Sequence, residues 1–495
     1  MTRRLCALLL AVLLMLAGCT DTAPLPETPA GDTAAPDDAV KQEPTVAAAL
    51  CWSAHDTLHP YKAVTRVNRE LMPLLYEGLT TVAADWSVKT ELAGTVEQTD
   101  ATHLKVTLRQ NARFSDGTAV TADDIRHSLA LAKASAAYKT LVANVRAIDD
   151  TLTVTLATAD TVNATAALSF PIVRETGDQV IGTGLYQYDS KSGGLTANPY
   201  HPTKPATTAW ALENITERKD MRYALSAGNI ALYTTDMTDS EVPTVTGNVR
   251  QTTVTMNHLI YLGISNKRDF ANEAFRAGLS LALDRNALCT NAFASYATPT
   301  TTPFIPTWKP AIGLTGGTNS ENIEQTIEKW KEIGYNVLDN GLASAKKELP
   351  ATELLVCKEN AFHVSAATLI AEQFGRAGLT VTVAAVSESD YRLRVSNGRF
   401  DLYLGEVRLS DDLSLRPWLT PDGAAKACVP TEAMQAYTAF LAGETSAEEF
   451  NRTFTESWPF IPLAWRVGAA VCASSLQGIA PGGADFYNDI QSWIL

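Results

Sequence analysis

The chain has 495 residues, 46% hydrophobic and 19% charged, with 40 Lys and Arg against 54 Asp and Glu for a formal charge of −14. Such an acidic balance argues against nucleic acid or an anionic lipid surface as the partner, and solubility outside a membrane is its simpler meaning. Beyond residue 48 about 450 residues remain, more than one hydrophobic core usually organises, so two or three lobes are expected. The seven cysteines include no Cys-x-x-Cys pair, which removes a zinc ribbon or a thioredoxin-type motif. There is no Gly-x-Ser-x-Gly, His-Glu-x-x-His or Walker loop either, so no catalytic motif is present and no enzyme is expected.

The chain opens with Arg3 and Arg4, an apolar run over residues 5–16, and then Leu16-Ala17-Gly18-Cys19. An apolar run of this length is short for a membrane span and fits the h-region of a signal peptide, and no other stretch approaches a span. The Leu-Ala-Gly-Cys ending resembles a bacterial lipobox, which implies a signal peptide over residues 1–18, cleavage before Cys19 and lipidation of its thiol, palmitate included. A plain signal peptide with an incidental cysteine is the alternative. Two or more acyl chains at roughly 0.8 kcal/mol per buried methylene anchor a protein stably, whereas one is marginal. Residues 19–48 carry Pro24, Pro26, Pro29, Pro36 and Pro44 among acids and small residues, and a segment with so little to bury is predicted to be a disordered tether.

In chain order, residues 45–51 read as a strand, followed by the loop Ser53-Ala54-His55-Asp56-Thr57-Leu58-His59-Pro60-Tyr61. Leu74-Leu75-Tyr76-Glu77-Gly78-Leu79 reads as a helix end with Gly78 at its C′ position. Strands over residues 88–92 and 104–108 lead to the turn Ser115-Asp116-Gly117 and a helix capped by Thr121 with Asp124, whose Ile125, Leu129 and Ala132 keep helical spacing. Strands over 142–148 and 152–156 flank a turn at Asp149-Asp150. Ile181-Gly182-Thr183-Gly184-Leu185-Tyr186 lacks the third glycine of a dinucleotide fingerprint.

A strand ends at Tyr261-Leu262-Gly263-Ile264-Ser265-Asn266, and Phe275, Leu279, Ala282 and Leu283 then form a helical core stripe. Next come a helix over 320–334 with Ile323, Ile327 and Trp330 on one face, a strand over 353–357, a helix over 366–374, and strands over 379–386 and 400–404. Late helices span 431–441 and 446–458, the second opened by a Ser446-x-x-Glu449 capping box, before a strand over 460–472. The alternation of strands and helices predicts an α/β fold.

The wording of five segments carries more than their periodicity. Ala112-Arg113-Phe114-Ser115-Asp116-Gly117-Thr118, Leu75-Tyr76-Glu77-Gly78-Leu79, the Gly182-Thr183-Gly184 run, the helix through Ala282-Leu283-Asp284-Arg285, and Ile461-Pro462-Leu463 with Gly478 stand in the order seen in the extracytoplasmic solute-binding proteins of peptide- and nickel-type ABC importers. The chain from Cys51 onward resembles that family. The resemblance implies a two-lobed periplasmic-binding-protein-like fold of class II type with an additional small lobe. It places lobe I at 49–80 with 177–255 and 466–495, the small lobe II at 81–176, and lobe III at 256–465. It implies hinge closure on a small ligand, a peptide or amino-acid-like molecule, and delivery to ABC permease subunits by a monomer lipid-anchored on the extracytoplasmic face, without a cofactor. The other readings are a metal or metal-chelate binder of the same importer class, and a transporter-independent sensor or chaperone-like surface lipoprotein.

In the peptide-binding members an acid beyond the strand matching residues 400–404 receives the ligand's amino terminus. The resemblance therefore marks Asp411 or Asp412, with Arg408 opposite Glu406 as a reader of a charged ligand and a solvated polar loop as the plain alternative. By family position Tyr61, Glu77, Tyr186 and Trp418 are cleft candidates, with core packing the competing reading for the aromatics. His59 departs from the family's usual acid or amide before proline, so residues 58–61 and 406–412 are expected to choose the ligand. His55 and His59 near Cys51 invite a metal reading, but an i, i+4 pair converges only on a helix and Pro60 follows at once, so no metal is assigned. Cys51, Cys289, Cys357, Cys428 and Cys472 are an odd set, leaving at least one thiol unpaired in a monomer. Cys51, Cys357 and Cys472 sit in apolar strand patterns, which favours buried free thiols.

Overall fold

Two long strands organise the largest sheet. Val249–Ile264 and Phe460–Ala473 run antiparallel, and the sheet order is Leu232–Thr235, Phe460–Ala473, Val249–Ile264, Leu402–Arg408, Thr352–Cys357, Val381–Val386, with Ala297–Pro299 added on Phe460–Ala473. The computed structural model describes residues 48–177, 179–238, 240–338, 341–344, 352–419, 431–483 and 485–495. The signal peptide expected over 1–18, Cys19, the tether expected over 19–48 except its last residue, and Cys428 lie outside the described residues.

Phe460–Ala473 is buried along its whole length, as is Val249–Ile264 from Met256 onward. Strands covered on both faces read as continuous apolar runs rather than alternating ones. One end of this ribbon gives Val254, Met256, Ala470 and Cys472 to a cluster with Trp210, Leu232 and Trp493. The other end gives Leu259, Ile260, Leu262 and Trp465 to a larger cluster with Phe275, Trp330, Phe374 and Trp418. The pairing register breaks between Thr255 and Leu259, between the two clusters. A bulge of this kind bends a strand and loosens its ladder locally.

On the far side of the ribbon, Thr352–Cys357 pairs in parallel with both Val381–Val386 and Leu402–Arg408. The helix Ala361–Arg376 makes the crossover between Thr352–Cys357 and Val381–Val386, with Gly378 at φ 91° just past its end. This is the α/β arrangement that the strand and helix alternation predicts.

A third cluster, from Leu79 to Ile172, fills a small antiparallel sheet ordered Ala93–Asp100, His103–Leu108, Thr153–Leu156, Val145–Ile148. The helix Ala122–Ala134 covers it and opens with the expected capping box: Thr121 Oγ1 accepts from Asp124 N–H, and Asp124 Oδ2 accepts from Thr121 N–H at 2.8 Å. Arg174 forks onto Asp124 at 2.8 and 2.6 Å and lies over the Phe114 ring. Burial pushes the Asp124 carboxyl up, but the hydrogen bonds from Arg174 and Thr121 outweigh it and hold the group below the usual range. The Ser446–Glu449 capping box also forms.

Three expectations need correction. The helix Met72–Leu75 stops at Leu75, and Tyr76 is already extended, so Gly78 is not its C′ residue. The chain leaves the helix because Glu77 O accepts from Ile172 N–H, Leu79 N–H donates to Leu168 O and Gly78 O accepts from Leu92 N–H. Glycine is needed at 78 for space, since a Cβ there would lie 2.6 Å from Thr80 O and 2.8 Å from Ser169 Cα. The strand expected over 142–148 begins at Val145, after a turn in which Val145 N–H donates to Val142 O. The strand expected to end at 404 runs on to Arg408, because residues 402–408 pair continuously with Val249–Ile264. Of the cysteines, Cys51, Cys289 and Cys472 are buried free thiols, and Cys357 is a half-buried one.

Candidate functional site

A cavity of about 410 Å³ is lined by segments far apart in sequence: the helix Arg66–Glu70, Glu91, Tyr138, Asp236, the end of Leu402–Arg408 with Asp411, and the C-terminal stretch at Asp485 and Phe486. Its walls are rich in charge. Arg66 donates to Glu70 at 2.5 Å, the i, i+4 spacing of one helical turn, and to Thr234 Oγ1 at 3.1 Å. Asp236 accepts from Arg218 at 2.6 Å and from Thr238 Oγ1 at 2.7 Å. Burial works against the Asp236 charge, but Arg218, Thr238, Arg66 and His258 together bring the carboxyl down to about 2.

Asp411 and Asp412 are adjacent and differ in their partners. Asp411 lines the cavity, and its carboxyl accepts no hydrogen bond among the described residues; burial pushes it up and the Arg408 charge pulls it down. Asp412 turns away into the buried layer, where one oxygen accepts from Ser410 Oγ at 2.6 Å and from Ser414 N–H at 3.1 Å. Burial raises it to about 7 despite those two donors. Arg408 faces the cavity, as does Arg69, and neither has an ion pair among the described residues.

Glu406 is not part of a solvated loop and does not pair with Arg408. It sits on Leu402–Arg408 with the Arg466 guanidinium forked onto it at 3.0 and 2.5 Å, His258 Nδ1 at 3.3 Å and His363 Nε2 at 2.9 Å. Arg466 in turn lies over the Phe293 and Phe362 rings. Burial opposes the Glu406 charge, yet Arg466, His258 and His363 hold its carboxyl well below the usual range.

The remaining sequence candidates divide. Tyr61 donates its hydroxyl to Pro171 O and packs edge-on against Tyr138, at 5.3 Å between ring centres, so it backs a residue of the cavity wall. His59 is buried behind it; its Nε2 meets Glu175 at 3.0 Å, and its Nδ1 accepts from Tyr61 N–H at 3.2 Å. Burial lowers the His59 pKa, and Glu175 offsets part of that. Glu77 is buried beside Glu91, with Arg109 forked onto it at 2.7 and 2.8 Å and His201 at 3.3 Å. Tyr186 and Trp418 are core residues: the Tyr186 hydroxyl donates to Thr207 O at 2.7 Å, and Trp418 packs against Tyr261 and Phe460.

Of the nine candidates, only Arg408 and Asp411 line the cavity. Sequence reasoning missed Arg66, Arg69, Glu70, Glu91, Tyr138, Asp236 and Asp485. The i, i+4 spacing of Arg66 and Glu70 was a legible helical ion pair. The others carry no local signal, because only the fold brings them together. Among the described residues no group of three or more His, Cys, Asp or Glu is arranged to hold a metal ion.

The family described as bacterial extracellular solute-binding proteins, family 5 middle, matches residues 82–424. The chain belongs to that family. At the level of sequence no curated protein matches it. Among solved structures, this solute-binding protein is similar to the murein tripeptide binding protein MppA in its unliganded open form, at 18% identity and a TM-score of 0.72 over 91% of this chain and 98% of that one. It is similar to NikA of Brucella suis in complex with Fe(III)-EDTA, at 17% identity and 0.70 over 90% and 99%. It is also similar to the oligopeptide-binding protein AppA of Bacillus subtilis holding a nonapeptide, at 17% identity and 0.63 over 92% and 100%. The fold of this solute-binding protein is thus the two-lobed α/β architecture of periplasmic binding proteins. Among its described residues no helix is long and apolar enough to cross a membrane.

Proposed function

We propose that this solute-binding protein captures a short peptide or amino-acid-like ligand in the cavity and delivers it to an ABC permease, tethered to the extracytoplasmic membrane face through a lipid on Cys19. Asp411 receives the ligand's amino group. The observation that carries this reading is the contrast between the two adjacent aspartates: Asp411 faces the cavity with no hydrogen-bond donor among the described residues, whereas Asp412 is spent on Ser410 and Ser414. A desolvated carboxylate without donors is the group that an ammonium most stabilises.

In this reading the lobes are 49–80 with 177–255 and 466–495, 81–176, and 256–465, and the register break after Thr255 serves as the hinge. Closure then requires only that the ligand bind the closed form more tightly than the open one. Tripeptides titrated into the purified protein by calorimetry are expected to bind and to stabilise it by about 2.7 kcal/mol at a hundredfold excess over Kd. Asp411→Asn is expected to weaken them about tenfold or more, since a hydrogen bond to a charged group is worth roughly 1.5–3 kcal/mol. Failure of all tripeptides to bind, with uptake of a nickel–histidine chelate instead, would turn the assignment to a metal carrier.

A further inference from the structure

The charges around the cavity do not balance. Its walls carry Arg66, Arg69 and Arg408 against Glu70, Glu91, Asp236, Asp411 and Asp485. Arg66 and Glu70 satisfy one another, and Asp236 is paired with Arg218. What remains facing the ligand is two arginines and three carboxylates. A zwitterionic peptide uses one of each, its ammonium on Asp411 and its carboxylate on an arginine. Two carboxyls, Asp485 and Glu91, are then left over against one arginine.

These two acids come from different parts of the chain and reach the same cavity. Asp485 lies beyond Phe460–Ala473 and accepts the Tyr487 N–H at 2.9 Å; Glu91 lies between Val88–Thr90 and Ala93–Asp100 and accepts the Gly78 N–H at 2.9 Å. Neither has an ion pair among the described residues. The Arg109 charge acts on Glu91, but its fork is committed to Glu77. Met72, Pro73 and Phe486 line the same cavity and offer apolar surface for an aliphatic stem that ends in charge.

We propose that the cleft selects peptides bearing a basic side chain, with Asp485 and Glu91 receiving its cation. This rests on the reading of the cavity as a peptide site and adds a specificity to it. Protonation supports it: burial, together with the charges of Asp411 and Glu70, raises Asp485 to about 6, and burial with the charges of Glu77 and Asp485 raises Glu91. Two carboxyls that repel one another and lack a counterion are the ones a bound cation ionises.

The test compares alanine tripeptides in which one position, first, second or third, is lysine, norleucine or glutamate, by calorimetry on the full mature chain at pH 7.5. Norleucine keeps the stem and removes the charge. The best lysine peptide is expected to bind about tenfold more tightly than its norleucine match, about 1.4 kcal/mol, and the glutamate peptide more weakly than either. At pH 6, lysine-peptide binding is expected to release protons, read as a dependence of the heat on buffer ionisation enthalpy, while norleucine-peptide binding releases fewer. Asp485→Asn is expected to bring the lysine-to-norleucine ratio near one. Equal binding of lysine and norleucine peptides by the wild-type protein overturns this proposal and leaves the peptide reading intact. No binding by any of the peptides overturns both.

Discussion

Glu406 and Asp485 are both carboxylates withdrawn from water, and they are opposites. Glu406 is enclosed by Arg466, His258 and His363, every donor a fixed part of the sheet or of the helix packed on it, and it stays ionised well below the usual range. Asp485 has one backbone donor and carboxylate neighbours, and burial lifts it to about 6. The first is a carboxylate with all its donors in place, tying Leu402–Arg408 to Phe460–Ala473 and Ala361–Arg376, although Arg466 Nη1 and His258 Nε2 find no partner of their own among the described residues. The second is unfinished, and it lies on a cavity wall. Buried charge that is fully paired holds a fold together, whereas buried charge that is unpaired marks where something is missing.

The comparison breaks most visibly at Arg466. Arg466→Met leaves Glu406 buried without its counterion and is expected to cost about 3–5 kcal/mol in urea unfolding; a loss below about 1 kcal/mol would remove the distinction between the two regions. The opposite sign is expected at Asp485. Its folded pKa lies above the unfolded value, so the folded state binds the extra proton between about pH 4 and 6, and stability falls as pH rises through that window. Asp485→Asn is therefore expected to gain on the order of 1 kcal/mol at pH 7.5 in the ligand-free protein and to gain nothing at pH 4.

Glu406 behaves in reverse. Its folded pKa is depressed, so its contribution is complete above about pH 4.3 and is lost as pH falls through the folded value. Acid titration of Glu406→Gln should show a weaker loss of stability below pH 4 than the wild type does. Asp412 follows the sign of Asp485. Burial raises its folded pKa above the unfolded value and an amide oxygen can take both its donors, so Asp412→Asn is also expected to gain on the order of 1 kcal/mol at pH 7.5 and nothing at pH 4.

The scaffold was more legible in the sequence than the site, for a physical reason. Capping boxes at Thr121 and Ser446, the core stripe through Phe275 and Leu279, and the buried run over residues 460–472 are local patterns that local physics enforces. Gly182 and Gly184 were legible as a motif but not as a cause; the structure shows their missing Cβ atoms making room for the backbone of Leu74 and Leu75. The cavity depends on residues that meet only through long-range packing, so Glu91 and Asp485 looked like any other acids. Family position marks Tyr186 and Trp418 as cleft candidates, and the structure sets them in the core. Arg408 and Asp411 are where family wording and cavity coincide.

The ribbon of Val249–Ile264 and Phe460–Ala473 also bears on how this chain folds. Both large apolar clusters draw on it, and one of its strands comes almost at the end of the sequence. Neither cluster closes until Phe460–Ala473 is present, so residues far upstream wait for it. Pairings of such long separation are slow to form. A chain cut before Phe460 loses the central partner of the sheet and leaves two cores open at once.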